Sequence, residues 1–392
     1  MTIVEFFDKD FIENIASSLL CNPDKVIFVG DDEDAMNSAK TRFREITAKR
    51  GLSVNFECAV IERKSLKSIV EALTKIINEN PDCNFDVEGG EDLYLVAVGI
   101  IYQKFGDKIG LHRYNIEEDK LNDFDMDGNP RRIFKGQINV KENVKIYGGK
   151  VIFEEENLRD GTKKIEFTED FHADVNAMWS ICRKNAGAWN FLMKDVSNTA
   201  TRTELEFVYP KEITDKDRVI FRDLSDKGLV KNLRITPNNV TFTCKNETVK
   251  SCVLKVGTLL EYYISCACEK MRDENGERYF GDVKTGVFID WDGKKTGDDV
   301  ENEIDVVCTR GMVPVFISCK SGFVDSDELY KLSSVADRFG GKYAKKILCV
   351  IDLDRHGTSA DSIRARAKDM GIKVIEKLEN MPLSELQNKL KI

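Results

Sequence analysis

The sequence of 392 residues has no apolar run long enough to cross a bilayer, so no membrane-spanning helix is expected. Its first residues, MTIVEFFDKD, lack a basic stretch followed by a small-residue cleavage site, and no secretion signal is read there. Histidine is scarce, at three residues, and the lone His172 is read as a packing or surface residue. Positive charge is short as well: the net charge of -9 argues against a protein that coats duplex DNA by bulk electrostatics. A local basic groove stays compatible with that balance. Lys294, Lys295, Arg310, Lys331, Arg338, Lys342, Lys345 and Lys346, all in the last third, could line one. No disulfide framework is legible, because the eleven cysteines are scattered and sit mostly in apolar runs, which fits a reducing cytoplasm. Cys266 and Cys268 form a CxC within a helical stretch and read as packing. No base-reading module is evident.

What is present is a chain with 42% hydrophobic and 32% charged residues, in the range of globular proteins and too long for one ordinary core. Three regions are expected: residues 1–145, a connector at 146–245, and 246–392. The first alternates strand and helix patterns as a parallel α/β sheet requires. Strands are expected at Thr2 to Phe7, Lys25 to Val29, Val54 to Val60, Phe85 to Val87 and Ile109 to Tyr114, the last closing the series. Ligands of such sheets sit beyond the C-terminal strand ends. Gly89-Gly90 lies at one such end, where glycine permits close backbone approach and the next helix offers free N–H groups. Glu88, Glu91 and Asp92 beside it weaken the case for a phosphate and suit the N-terminus of a helix.

The connector is expected to hold two short strands around Gly148-Gly149, a helix near Ala173 to Cys182, a short helix ending at Gly228, and a hairpin turned at Asn238-Asn239. A small winged-helix-like or strand-rich bridge fits that pattern, and no catalytic constellation is visible in it.

The last region carries the chemistry. Leu254 to Met271 reads as one helix, on which Glu261 shares a face with the small, uncharged Gly257, Thr258, Ser265 and Cys268. Such a face suits a packed or functional surface. Residues 301–307, ENEIDVV, read as a strand whose period-two alternation sets Glu303 and Asp305 on one side and Ile304 and Val306 on the other. Arg310-Gly311 turns the chain, and the returning strand sets Ser318 and Lys320 on one face. Carboxylates at 303 and 305 and a lysine at 320 can therefore converge. Hard divalent cations take carboxylate oxygens, and a nearby lysine offsets charge that builds on a phosphate. A cross-strand salt bridge is the plainer use of the same residues.

Two resemblances extend this. The run FDVEGGEDLYLVAVG, with VEFFDKDFIENI and VIFVGDDED upstream, resembles the CARF domain, a CRISPR-associated Rossmann fold. The combination GTLLEYY, ENEIDVV, FISCKSG and ELYKLSSVADRFGGKYAKK resembles the PD-(D/E)xK nuclease half of CARF-nuclease effectors of type III CRISPR defence. The resemblance implies an N-terminal Rossmann-like sensor, a small connector and a restriction-endonuclease-like domain. It implies a homodimer that binds cyclic tetra-adenylate and cleaves single-stranded RNA or DNA or nicks supercoiled DNA, using Mn2+ or Mg2+. The ligand loops would hold Asp10 and Asn14, Gly30 and Asp31, and Glu88, Gly89 and Gly90, where Glu88 stands in place of the family's usual Thr. Glu261 would be the helix acid, Asp305 the strand acid and Lys320 the lysine, with the usual ExK acid replaced by Ser318. Glu303 would then take over the metal-binding role of that acid, or the backbone carbonyl of Cys319 with a water would do so, with Glu328 a lesser candidate. Two other readings stay open: a ligand-sensing binding protein whose nuclease is inactive, and a restriction or repair nuclease without an activator.

Overall fold

A computed structural model describes residues 1–61, 65–116, 118–124, 130–154, 161–162, 164–293, 301–354 and 359–392. The proposed groove residues Lys294 and Lys295 lie outside the described residues.

The N-terminal half alternates β1 (Thr2–Phe6), α1 (Phe11–Cys21), β2 (Lys25–Gly30), α2 (Glu33–Lys49), β3 (Asn55–Val60), α3 (Leu66–Glu79), β4 (Cys83–Asp86), α4 (Asp92–Phe105) and β5 (Gly110–Asn115). The series does not close at β5. β6 (Lys120–Phe124) and β7 (Pro130–Phe134) add an antiparallel edge, giving the order β3-β2-β1-β4-β5-β6-β7. The first five strands are parallel, because a crossover helix joins each of them to the next. The last two follow connections of only a few residues, too short for a crossover, and run antiparallel.

α5 (Val140–Ile146) and β8 (Lys150–Ile152) come next. The apolar pattern predicts a strand at the first of these. Asn139 and Glu142 instead close a capping box, which satisfies the first helical N–H groups and sets a helix there. β8 is not part of a bridge: it pairs with β13 (Asp282–Asp290) at the edge of the C-terminal sheet.

The middle of the chain is α6 (Glu169–Lys184), α7 (Ala186–Thr199), β9 (Thr201–Thr203), β10 (Glu206–Tyr209), α8 (Asp215–Asp226), β11 (Val230–Ile235), β12 (Val240–Cys244) and α9 (Glu247–Leu254). Its four strands form an antiparallel sheet, β11-β12-β10-β9. His172 is buried on α6, 3.2 Å from Glu269.

The C-terminal half has α10 (Thr258–Glu269), β13, β14 (Glu301–Arg310), β15 (Val313–Lys320), α11 (Ser326–Gly340), β16 (Lys345–Val350), α12 (Ser359–Asp369), β17 (Ile372–Ile375) and α13 (Leu383–Leu390). Its sheet runs β17-β16-β15-β14-β13-β8, antiparallel through β15 and parallel beyond. The helix expected at Leu254 to Met271 is two helices, with the break at residues 255–257.

Among the described residues three apolar cores form. One lies under α3 and α4 on one face of the N-terminal sheet. A second joins Phe28, Phe43 and Phe56 of the other face of that sheet to α5, α11 and the near face of the C-terminal sheet, through Phe316 and Phe339. The third packs α10, α6, α7 and the middle sheet on the far face. The two halves thus share a continuous apolar core, which makes independent motion of either half costly. Among the described residues no helix is long and apolar enough to cross a membrane. The described cysteines form no disulfide with one another and are mostly buried. Cys266 and Cys268 lie in the third core, and burial pushes the Cys266 thiol up to about 12, so it stays protonated and packs.

Candidate active site and sensor loops

The acids meet where β14 and β15 leave their shared ladder. Val306 pairs with Ile317, and one more step of that register sets Asp305 opposite Ser318. The Cys319 N–H donates to Asp305 Oδ2 at 2.6 Å, and the Ser318 hydroxyl donates to the same oxygen at 3.1 Å. The position that lacks its usual carboxylate therefore supplies a donor to the strand acid. N–H and C=O of one strand residue point to the same neighbour, so the Cys319 carbonyl also faces β14.

The alternation expected in β14 breaks at this point. Ile304 packs in the second core with Phe316, whereas Val306 packs in the third with Val315 and Ile317. The β13 register sets Gly286 opposite Asp305, and Gly286 has φ +58°, a twist that a side chain would resist.

Both lysine partners of the acids are specific. Lys320 Nζ lies 2.6 Å from Glu328 on the first turn of α11, which Asp325 caps through the Glu328 N–H. Lys255, in the break between α9 and α10, donates to Glu303 Oε1 at 3.1 Å. Sequence reasoning missed Lys255. Its signal is a lysine two residues before a glycine, interrupting an otherwise helical stretch just ahead of the helix acid. Glu303, Asp305, Ser318, Lys320, Glu328 and Lys331 line a cavity of about 20 Å³, room for about one water.

Glu261 is buried on α10, its Oε1 facing the bare Cα of Gly257, where a Cβ would come within 3.1 Å. Burial first, and then the negative charge of Asp305, push its carboxyl up to about 7, against the opposing pull of Lys255. Burial likewise raises Asp305, opposed by the Cys319 N–H, Lys320 and Ser318. Among the described residues no three acidic, histidine or cysteine side chains are already drawn together around an ion position. Each carboxylate is instead held by a lysine or a hydrogen bond, or is pushed toward its neutral form. The donor chemistry still fits a hard divalent cation: Glu261, Glu303 and Asp305 feel one another's charge, and the lysines only partly offset it.

This gives a stability prediction. A carboxyl raised from 4.5 to about 7 by folding stabilises the fold fully below its unfolded value, and that stability is lost as pH rises to about 7. Glu261→Gln keeps the neutral form at every pH. In chelator, thermal unfolding should therefore find the variant more stable than the parent at pH 8, by about 3 kcal/mol, with most of the gap closed by pH 5. An equal gap at both pH values would show that Glu261 ionises freely.

The loops expected to hold a ligand sit at C-terminal strand ends, but several of their side chains are bound within the chain. Asn14, expected as a solvated or ligand-contacting residue, is 1% exposed. Its amide accepts from Asp8 N–H at 2.9 Å and donates to the Asp8 carbonyl at 2.7 Å, shaping the β1–α1 loop. Asp10 makes no side-chain cap of α1. It accepts from the Lys342 N–H at 3.1 Å and faces Lys342 Nζ at 3.5 Å. Glu13, missed in the sequence although it interrupts an apolar helix face, is 2% exposed. It binds Lys342 Nζ at 2.9 Å and the Tyr343 hydroxyl.

Gly30 ends β2 against Phe7 and Met36, and Asp31 beyond it is exposed. A Cβ on Gly89 would come within 2.7 Å of the Phe6 carbonyl, and Gly90 has φ +97°, so packing on β1 alone requires this pair. The Glu88 N–H donates to Asp86 Oδ1 at 2.9 Å, and its carboxylate takes Arg113 Nε at 2.6 Å. Asp86 is fixed in turn by the Ser17 hydroxyl, and His112 Nε2 lies 3.3 Å away.

Most of the lysines and arginines proposed for a groove have other partners. Arg310 lies over the Tyr279 ring at 4.4 Å and donates to the Ile392 carbonyl. Lys346 takes Asp337, and Arg338 lies over Phe339. Lys342 is held by Asp10 and Glu13, while Lys345 is exposed. Lys331 alone of the described set lines the acidic cavity.

Residues 250–391 match the family described as Card1-like, endonuclease domain. No curated protein is matched by the sequence. The whole chain is similar in structure to protein VC1899 from Vibrio cholerae, with a TM-score of 0.77 at 18% identity over 100% of this chain and 97% of that one. It is also similar to Can2 from Sulfobacillus thermosulfidooxidans, solved in complex with cyclic tetra-adenylate. That match has a TM-score of 0.67 at 16% identity and covers 99% of this chain and 96% of Can2. Residues 250–391 are therefore a Card1-like endonuclease domain by their family match, and the whole chain shares the fold of VC1899 and Can2, in which a Rossmann-like N-terminal domain is joined to a restriction-endonuclease-like one.

Proposed function

We propose that the chain is a homodimeric, metal-dependent endonuclease switched on by a cyclic oligoadenylate, with cyclic tetra-adenylate as its activator. Its substrates would be single-stranded RNA or DNA, or supercoiled DNA that it nicks. The observation that carries the switch is one helix with two ends. The segment that follows α11 is held by Asp10 of the β1–α1 loop and Glu13 of the first turn of α1. The first turn of α11 carries Glu328, which holds Lys320 in the acidic site. A ligand that moves the β1–α1 loop thus pulls on a rigid rod that ends at the catalytic lysine.

In the state described the site is closed. Lys320 is tied to Glu328, Glu303 is tied to Lys255, and the cavity of about 20 Å³ cannot take a nucleotide. Glu261, Glu303 and Asp305 would hold a Mn2+ or Mg2+ ion. Such an ion supplies Lewis acidity against the scissile phosphate. The Ser318 hydroxyl and the Cys319 N–H orient Asp305, and Lys320, once released, meets charge developing on the phosphate. Glu303 in this reading takes the role of the absent ExK acid.

A second copy of the chain is supported by α4. Leu93, Val96 and Ile100 recur at helical spacing on its outer side and are 41%, 50% and 42% exposed. A stripe of that kind is costly to leave in water and suits an isologous contact.

The test uses purified full-length protein, manganese, labelled single strands and supercoiled plasmid, with and without cyclic tetra-adenylate, and sedimentation for the dimer. Cleavage should require both metal and cyclic tetra-adenylate. Tight cyclic tetra-adenylate binding with no cutting under any metal would leave a sensor with an inactive nuclease. Equal cutting without cyclic tetra-adenylate would make the chain a restriction or repair nuclease.

A further inference from the structure

A second, larger cavity opens beside the acidic site, and the connector builds one of its walls. It encloses about 500 Å³ between α7, the break after α9 and the turn after β15. Lys255 and Ser321 connect it to the acids: Lys255 binds Glu303, and Ser321 follows Lys320 directly. On its α7 wall stands Phe191, 80% exposed, a large aromatic side chain held on a helix with no apolar cover. Lys194 lies one turn further along α7.

This wall is fixed rather than loose. Asn190 Nδ2 donates to the Ser321 carbonyl at 2.7 Å, and the Ser197 hydroxyl donates to the Leu254 carbonyl at 2.5 Å. α7 is therefore clamped at both sides of the cavity to the segments that carry Lys255 and Lys320. Asn190 Oδ1 is buried with no partner among the described residues, leaving an acceptor on the cavity wall.

An exposed aromatic ring, lysines at the rim, an unmet acceptor and a phosphodiester-cleaving site next door are the parts of a nucleobase pocket. Bases stack on aromatic faces whatever their sequence, and ammonium groups take the flanking phosphates. We propose that this cavity is a base-binding subsite of the nuclease: the base next to the scissile phosphate stacks on Phe191, while Lys194 and Lys255 meet adjacent phosphates. The inference rests on the nuclease reading above and adds a reason for strand choice. A paired base is stacked within its duplex and cannot turn onto Phe191 without unpairing, which costs a few kcal/mol. The subsite therefore favours single strands and unwound stretches of supercoiled DNA over relaxed duplex.

The test is binding of a short fluorescein-labelled single strand to full-length protein in chelator with cyclic tetra-adenylate present, so that binding is read without cleavage. Phe191→Ala should weaken binding about tenfold, and Phe191→Tyr should retain it. With manganese, Phe191→Ala should raise KM for the single strand far more than it lowers kcat, because the ring does not touch the reacting atoms. The single strand binding equally tightly to Phe191→Ala and the parent would overturn the subsite alone. A parent that binds no single strand would overturn both the subsite and the single-strand reading. Sedimentation of Phe191→Ala should match the parent, and a changed oligomeric state would assign this face to a second copy instead.

Discussion

Replacing Asp305 with asparagine should lower the cleavage rate by about 10³-fold without unfolding the protein. The amide keeps an oxygen that can accept from the Cys319 N–H and the Ser318 hydroxyl, so neither donor is orphaned. What it removes is the negative charge. In metal-free protein that charge is itself a burden, since burial raises the Asp305 pKa and Glu303 raises it further. Thermal unfolding in chelator should find Asp305→Asn at least as stable as the parent, and cyclic tetra-adenylate binding should be unchanged. Stability held while cleavage disappears is the signature of a functional acid. Cleavage that persists would show that Asp305 serves only to bind β15. Glu303→Ala in the same assay addresses Ser318: a variant that cuts as fast as its parent would sink the idea that Glu303 replaces the missing acid.

The second large effect concerns the two ends of α11. Lys342→Ala removes the ammonium that Asp10 and Glu13 hold, and leaves Glu13 2% exposed with only the Tyr343 hydroxyl. If the helix transmits the signal, cleavage stimulated by cyclic tetra-adenylate should fall by about tenfold or more while activator binding persists, in line with coupling energies of about 1–3 kcal/mol. Glu328→Gln acts at the other end. It weakens the hold on Lys320 and should raise cleavage without activator by about tenfold. The two variants thus move opposite quantities, the stimulated rate and the basal rate. Responses identical to the parent in both would place the coupling elsewhere, through the shared second core or across the α4 face.

Much of the fold was legible because it is written locally. The parallel strands of the N-terminal sheet, the hairpin of β14 and β15, and α11 follow from apolar spacing, caps and glycines that act within a few residues. The misses have local causes too. Val144 looks like a strand residue until the capping box at Asn139 and Glu142 is counted. The helix break at Lys255 is hidden because the residues around it are compatible with a helix. Other misses could not be read from spacing. Asn14 and Asp10 look like loop and cap residues, and only the fold shows that one is turned inward on Asp8 and the other reaches Lys342, over 300 positions away.

By itself, then, the sequence determined the order of the elements, the residue types of the acidic site and the place of the lysine. These depend on neighbours a few residues apart, whose geometry the backbone dictates. The tertiary structure decided the pairings: Lys320 with Glu328, Glu303 with Lys255, Asp10 and Glu13 with Lys342, β8 with β13, and Phe191 left in solvent beside the acids. Each of these is a contact between segments that only packing brings together. Their partners are chosen by which groups the shared cores leave facing one another. The chemical parts of the site are thus local, whereas its closed state and its link to the β1–α1 region belong to the fold.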